Sequence, residues 1–187
     1  MPGVYMHTHS DEVVESWLVR IVGHEGGFSD DRLDPGNWTG GIVGQGMLKG
    51  TRFGISAKAY PDLDVQALSI DDAVHLYQCD YVRPMRLGRY RDGVAYQLLV
   101  FAVMAGPDRA VRLLQRALGV STDGIAGPLT LAALERRTEG DVIMLALAEF
   151  IEFLTYLRNW PDAGKGWMRR VAGNLRFGAA DSEVCSG

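Results

Sequence analysis

The chain has 187 residues, 47% of them hydrophobic and 22% charged, with a formal net charge of −4. That is the profile of a globular protein with one substantial core or at most two small lobes. The negative balance argues against a general electrostatic grip on nucleic acid or anionic lipid, and no uninterrupted apolar run approaches a membrane span.

Met1 to Ser10 is polar, with His7 and His9 in an expected mobile tail and no apolar run ahead of a small-residue cleavage site. Synthesis without a secretory signal is therefore expected. Ser10 is a good N-cap for a first helix ending at Gly26-Gly27, in which Val14, Trp17, Leu18, Ile21 and Val22 form one apolar stripe. Phe28 to Thr51 is rich in Gly, Asp, Pro and Asn and reads as a long irregular segment, closed by a strand edge at Thr51-Arg52-Phe53-Gly54-Ile55. Helices follow. One spans Ser69 to about Tyr81, with Ser69 and Asp72 at capping-box spacing and Pro84 as its stop. Val94 to Met104 is apolar all round, as befits the centre of a core. Pro107 opens a helix to Leu118, and Gly127-Pro128 opens another to about Arg137. Asp141 is placed as the cap of the longest helix, running to about Asn159 and stopped by Pro161. A short helix from Gly166 to Val171 then precedes a flexible tail at 173–187. Cys79 and Cys185 read as two free thiols, and the histidines lack the spacing of a zinc motif.

Glu25 continues the stripe of the first helix, four residues past Ile21 and three past Val22. Partial burial raises a carboxyl pKa, which is how a glutamate becomes a proton donor near neutral pH; a satisfied structural glutamate fits the position equally well. The following loop adds Asp30, Asp31 and Asp34. An acid at the leaving oxygen plus a group that activates water or stabilises positive charge is the requirement for glycosidic cleavage, although acidic residues in turns more often organise the turn itself.

The string Glu25-Gly26-Gly27-Phe28-Ser29-Asp30-Asp31-Arg32-Leu33-Asp34-Pro35-Gly36, followed by Thr51-Arg52-Phe53-Gly54-Ile55, resembles the N-terminal signature of glycoside hydrolase family 108, peptidoglycan N-acetylmuramidases found mostly in phages and prophages. Leu114-Gln115-Arg116-Ala117-Leu118-Gly119-Val120, Asp123-Gly124-Ile125-Ala126-Gly127-Pro128-Leu129-Thr130 and Gly166-Trp167-Met168-Arg169-Arg170-Val171 resemble the family's C-terminal predicted peptidoglycan region. The likeness runs from about Trp17 to Val171, with two departures. Asn37 to Gly50 is longer than the connection expected there, and Met104 stands where an asparagine is frequent.

The resemblance implies a mainly α, lysozyme-like single domain over 10–172, with a long N-terminal loop and short β element, a catalytic part at about 10–90 and a helical part at about 91–172. It implies cleavage of the β-1,4 bond between N-acetylmuramic acid and N-acetylglucosamine, with Glu25 as general acid and Asp34 and Thr51 managing water or charge. Phe53, Trp38, Tyr81 and Trp167 are the candidate sugar-stacking rings, of which one or two are expected to touch glycan. Peptidoglycan is the implied partner. No metal, organic cofactor, nucleic acid or membrane insertion is implied, and a monomer is expected. Synthesis in a host cytoplasm, with delivery by a holin or phage tail, fits a phage endolysin. A lytic transglycosylase acting on the same bond and a non-catalytic wall-binding tail module are the alternatives.

Overall fold

A computed structural model describes residues 9–24 and 27–183. Helix α1 spans Asp11–His24, and its N-terminus is held by Ser10, whose Oγ accepts the Val13 N–H at 3.3 Å. Val14, Trp17, Leu18, Ile21 and Val22 are all buried, as the helical spacing requires. Beyond Gly27 the chain makes a 3-10 turn at Pro35–Asn37 and two isolated antiparallel bridges, Ser29 to Thr51 and Trp38 to Leu48. Strands β1 (Thr51–Arg52) and β2 (Ile55–Ser56) then pair as an antiparallel hairpin, Thr51 opposite Ser56 and Arg52 opposite Ile55.

Helix α2 covers Ile70–Tyr77 with the expected capping box closed in both directions: Ser69 Oγ accepts from the Asp72 N–H, and Asp72 Oδ2 accepts from the Ser69 N–H. The Ser69 hydroxyl, which also donates to Asp72 Oδ2 at 2.6 Å, and then the Ser69 N–H hold the Asp72 carboxyl below the ordinary aspartate range. Pro84, expected to stop this helix, lies inside its continuation instead. Gln78–Val82 form a π turn, the Arg83 N–H bonds the Gln78 carbonyl, and α3 (Arg83–Met85) follows. A wider turn moves the carbonyl four residues back away from the proline ring, which removes the clash that normally ends a helix. The chain turns only at Arg86, in a left-handed conformation with φ 50°.

Two compact units divide the chain, Ser10–Pro84 and a second that comprises His9 and the residues from Met85 onward. In the second unit α4 (Asp92–Ala105) is buried from Gly93 to Ala102 and packs against α5 (Pro107–Leu118), α7 (Glu139–Thr155) and α8 (Trp160–Glu183). The Phe101 and Phe150 rings stack at 4.0 Å between centroids where α4 meets α7. Met1 to Thr8 of the expected mobile tail lie outside the described residues; His9 Nδ1 and Nε2 lie 3.0 Å from Asp92 Oδ1 and 2.9 Å from the Leu87 carbonyl oxygen.

Five sequence expectations change here. Thr138, not Asp141, caps α7, accepting the Asp141 N–H at 3.2 Å, and α7 ends at Thr155 rather than near Asn159. Pro161 opens α8 rather than closing its predecessor, since a proline in the first turn has no intrahelical N–H partner to lose. The expected short helix Gly166–Val171 is the middle of α8, which continues through Glu183 across most of the expected flexible tail. Asn174 is buried there, its carbonyl accepting from Gln97 Nε2 at 3.1 Å, and Phe177 meets Tyr96 edge-on at 6.1 Å.

The Asp123 to Thr130 motif serves the fold. The buried Gln115 side chain donates to Asp123 Oδ1 (2.7 Å), the Ile125 carbonyl (3.0 Å) and Thr130 Oγ1 (3.1 Å), and accepts the Gly124 N–H (2.9 Å). This clamps the turn that leads into α6 (Pro128–Glu135). Cys79 is a free thiol, whereas Cys185 lies outside the described residues. No helix of the described residues is long and apolar enough to cross a membrane, and among them no cluster of three or more His, Cys, Asp or Glu has the arrangement to hold a metal.

Candidate active site

Glu25 and Gly26 lie outside the described residues, so the site is built from what surrounds them in the chain. Ser29, four residues on, exchanges both backbone hydrogen bonds with Thr51: the Ser29 N–H donates to the Thr51 carbonyl and the Thr51 N–H to the Ser29 carbonyl, each at 2.8 Å. This fastens the segment that leaves α1 to the edge of the hairpin. Thr51 is half-buried, and its hydroxyl has no hydrogen-bond partner among the described residues.

Gly50 makes this close approach possible. Its φ is +84°, and a methyl group there would stand 2.6 Å from both the Phe28 ring and the Ser29 carbonyl oxygen, so backbone geometry and space both demand glycine. The opposite side of the loop is held by Asn37, which is fully buried. The Asn37 carbonyl accepts from Lys49 N (3.0 Å) and Gly50 N (3.1 Å), and its Nδ2 donates to the Asp31 carbonyl (2.9 Å). In the sequence Asn37 is only the first residue of a long insertion. It proves to be the residue that organises the loop.

Asp34 sits three residues before Asn37, exposed, with Oδ1 accepting the Gly36 N–H at 2.8 Å as N-cap of the 3-10 turn. Asp31 does the same for Leu33 N at 2.9 Å. Both acids thus organise turns, and Asp34 leaves Oδ2 without a hydrogen bond among the described residues. The Asn37–Gly50 bond brings the Asp34 turn and Thr51 into the same loop cluster, and the Ser29 bridge joins that cluster to the segment following Glu25.

Three of the candidate rings differ in setting. Trp38 is half-buried, its indole N–H committed to the Arg32 carbonyl at 3.0 Å. The excursion beyond it folds back on itself through Thr39 and Met47: the Thr39 N–H donates to the Met47 carbonyl (3.0 Å), and Thr39 Oγ1 accepts from Met47 N (2.9 Å). Phe53 occupies the hairpin turn with φ 54°, followed by Gly54 at φ 75°. Positive φ at both central residues is the pattern that matches strand twist in a two-residue hairpin, but a bulky ring in the first position is strained. The Tyr77 hydroxyl donates to the Phe53 carbonyl at 3.0 Å and the Arg52 guanidinium lies 5.0 Å from the ring centroid, so neighbouring side chains hold the strained residue. Tyr81, half-buried, stacks on Tyr77 at 5.4 Å from the π turn. That turn also presents Asp80 to the Tyr60 hydroxyl, which donates to it. Burial first, and the carboxylate second, push the Tyr60 phenol pKa upward. Neither Tyr60 nor Asp80 stood out in the sequence, because their pairing depends on the π turn, which no side-chain period announces.

The chain matches two families in order: Glycosyl hydrolase 108 over residues 18–106 and the Predicted Peptidoglycan domain over residues 109–171. No curated protein matches it. Among solved structures, that of SagA from Brucella abortus is similar, with a TM-score of 0.77 and 28% sequence identity, covering 92% of this chain and 97% of that one. The fold and the matched regions define a glycoside hydrolase that acts on peptidoglycan, mainly α and lysozyme-like. The chain carries a Glycosyl hydrolase 108 region followed by a C-terminal peptidoglycan region.

Proposed function

We propose that Glu25 is the general acid of this hydrolase, protonating the leaving oxygen of the β-1,4 bond between N-acetylmuramic acid and N-acetylglucosamine. Thr51 orients the attacking water through its hydroxyl, and the open oxygen of Asp34 stabilises the positive charge that develops on the sugar or takes the proton from that water. The reading is carried by the paired hydrogen bonds of Ser29 and Thr51, which tie the segment just beyond Glu25 to the threonine. Phe53 and Tyr81 offer ring faces to the glycan, with Trp38 beside the loop that Asn37 organises.

The catalytic part is the unit Ser10–Pro84, with the helical unit supporting wall attachment. We assign the enzyme to phage-type lysis, as an endolysin or a tail-associated lysozyme. It is made in the host cytoplasm, reaches the wall through a holin or a phage tail, and works as a monomer with no role for nucleic acid or membrane insertion.

The test is clearance of purified sacculi by wild-type and Glu25→Gln proteins, with the released muropeptides weighed by mass spectrometry. Wild type is expected to release products that have gained water, and Glu25→Gln to lose at least about a hundredfold in rate, the scale of general acid catalysis. Anhydro products would reassign the reaction to a lytic transglycosylase. Equal turnover by the variant would remove Glu25 from the mechanism.

A further inference from the structure

Along α8, Trp160, Gly164, Lys165, Met168, Arg169 and Ala172 line an open groove of about 420 Å³. Its floor depends on one glycine. A methyl group at Gly164 would stand 2.9–3.0 Å from three atoms of the Trp160 indole, so the ring lies against the bare backbone one turn further on. Trp167 flanks it, with ring centroids 6.2 Å apart. Lys165 and Arg169 are exposed and in no ion pair among the described residues.

The stretch of sequence that carries the groove is basic. From Arg158 to Arg176 the chain carries five cations (Arg158, Lys165, Arg169, Arg170 and Arg176) against one acid, Asp162. That is a local charge of +4 on a chain whose total is −4. The helical packing does not account for this concentration of charge, since Lys165 and Arg169 face away from the core that Val171 and Asn174 enter. A flat aromatic ring beside two unpaired cations suits a ligand with an apolar face and a carboxylate within side-chain reach.

We propose that this groove is a second wall-binding site, which takes the carboxylate-bearing stem peptides of peptidoglycan. It belongs to the unit that begins at Met85, whereas Glu25 belongs to the other. The inference rests on peptidoglycan as substrate and adds to it the part of the polymer that is held. Lys165 and Arg169 pair with stem carboxylates, and Trp160 packs against the adjoining peptide or sugar face. Such contacts weaken with salt because the pairs are solvent-exposed.

The test uses the full chain, on ice, with intact sacculi and with glycan strands that an amidase has freed of stem peptides, both coupled to beads. Pelleted protein reports binding and released muropeptides report turnover, so failure of this site and failure of the Glu25 mechanism are read separately. Wild type is expected to pellet with intact sacculi. The Lys165→Glu/Arg169→Glu protein should bind about tenfold more weakly, the scale of two reversed surface pairs, and wild type should show a similar loss on stripped strands or in high salt. Gly164→Ala, which displaces the ring, should weaken binding several-fold while its circular dichroism stays that of wild type. Equal retention on stripped strands and intact sacculi, or no response to charge reversal, overturns the proposal. So does a charge-reversed protein that keeps sacculi but loses phosphatidylglycerol vesicles, because that result assigns the groove to lipid.

Discussion

The two units of this chain keep their shape by different means. From Met85 onward, the structure rests on apolar side chains that the helical period places inward: α4 is buried on every side, and Phe101 stacks on Phe150. Between Gly27 and Ser56 there is little side-chain core, and position comes from backbone hydrogen bonds, a buried asparagine and residues with positive φ. A packed core tolerates loss of surface detail but not of volume, whereas a bonded loop depends on single backbone positions. The residues proposed for chemistry, Asp34 and Thr51, are in the second kind of structure, where a small local change displaces functional groups without unfolding the remainder.

The sharpest way to break this comparison is to remove volume from the helical unit. Phe150→Ala should lower stability by about 3–5 kcal/mol in denaturant unfolding, because a fully buried ring that contacts both Phe101 and Phe153 leaves a cavity. A loss below about 1 kcal/mol would mean that this core is not close-packed. Next in size is Gly50→Ala in the loop. Its clash with Phe28 and Ser29 and its φ of +84° predict a destabilisation of about 1–3 kcal/mol. Sacculus turnover at a temperature where the protein remains folded should fall at least tenfold, because the Ser29–Thr51 bridge is disturbed. Turnover that simply tracks the folded fraction would make the bridge a structural feature only.

The smallest effect concerns pH and the polar clamp of the helical unit. The Gln115 side-chain bond, followed by the Ile125 N–H, holds the Asp123 carboxyl below its ordinary value of 3.8. A carboxyl lowered on folding contributes stability that is fully present above that value and is lost as pH falls through the lower folded one. Asp123→Asn should therefore flatten the acid limb of a thermal unfolding profile below about pH 4 and leave its slope near neutrality unchanged. An unchanged acid limb would show that the clamp does not depend on the carboxylate charge.

Legibility in the sequence followed the same division. The stripe of α1, the all-apolar α4, the Pro107 and Gly127-Pro128 starts and the Ser69–Asp72 capping box were readable because side-chain type and spacing encode them directly. Pro84 and Pro161 misled because proline stops a helix only where its ring meets a regular turn or an N–H is required. The π turn and the first turn of α8 remove those conditions. The irregularity of the loop follows from its Gly, Asp, Pro and Asn content, and its motif resembles that of a glycoside hydrolase. Asn37 as its organiser was not readable, since main-chain acceptors are common to all residues and leave no mark in composition. Gly50 carried a faint signal as a glycine next to the threonine of the motif, but only coordinates show the Phe28 ring against it.

Phe53 has one more implication. Holding an aromatic residue in the left-handed region costs about 1–2 kcal/mol that asparagine or glycine would avoid at the same turn. Breeding this protein for heat resistance alone would be expected to discard the ring, while breeding it for speed on cell walls would keep it. On the proposed contact of the ring with glycan, the position offers a single-codon gauge of durability set against turnover.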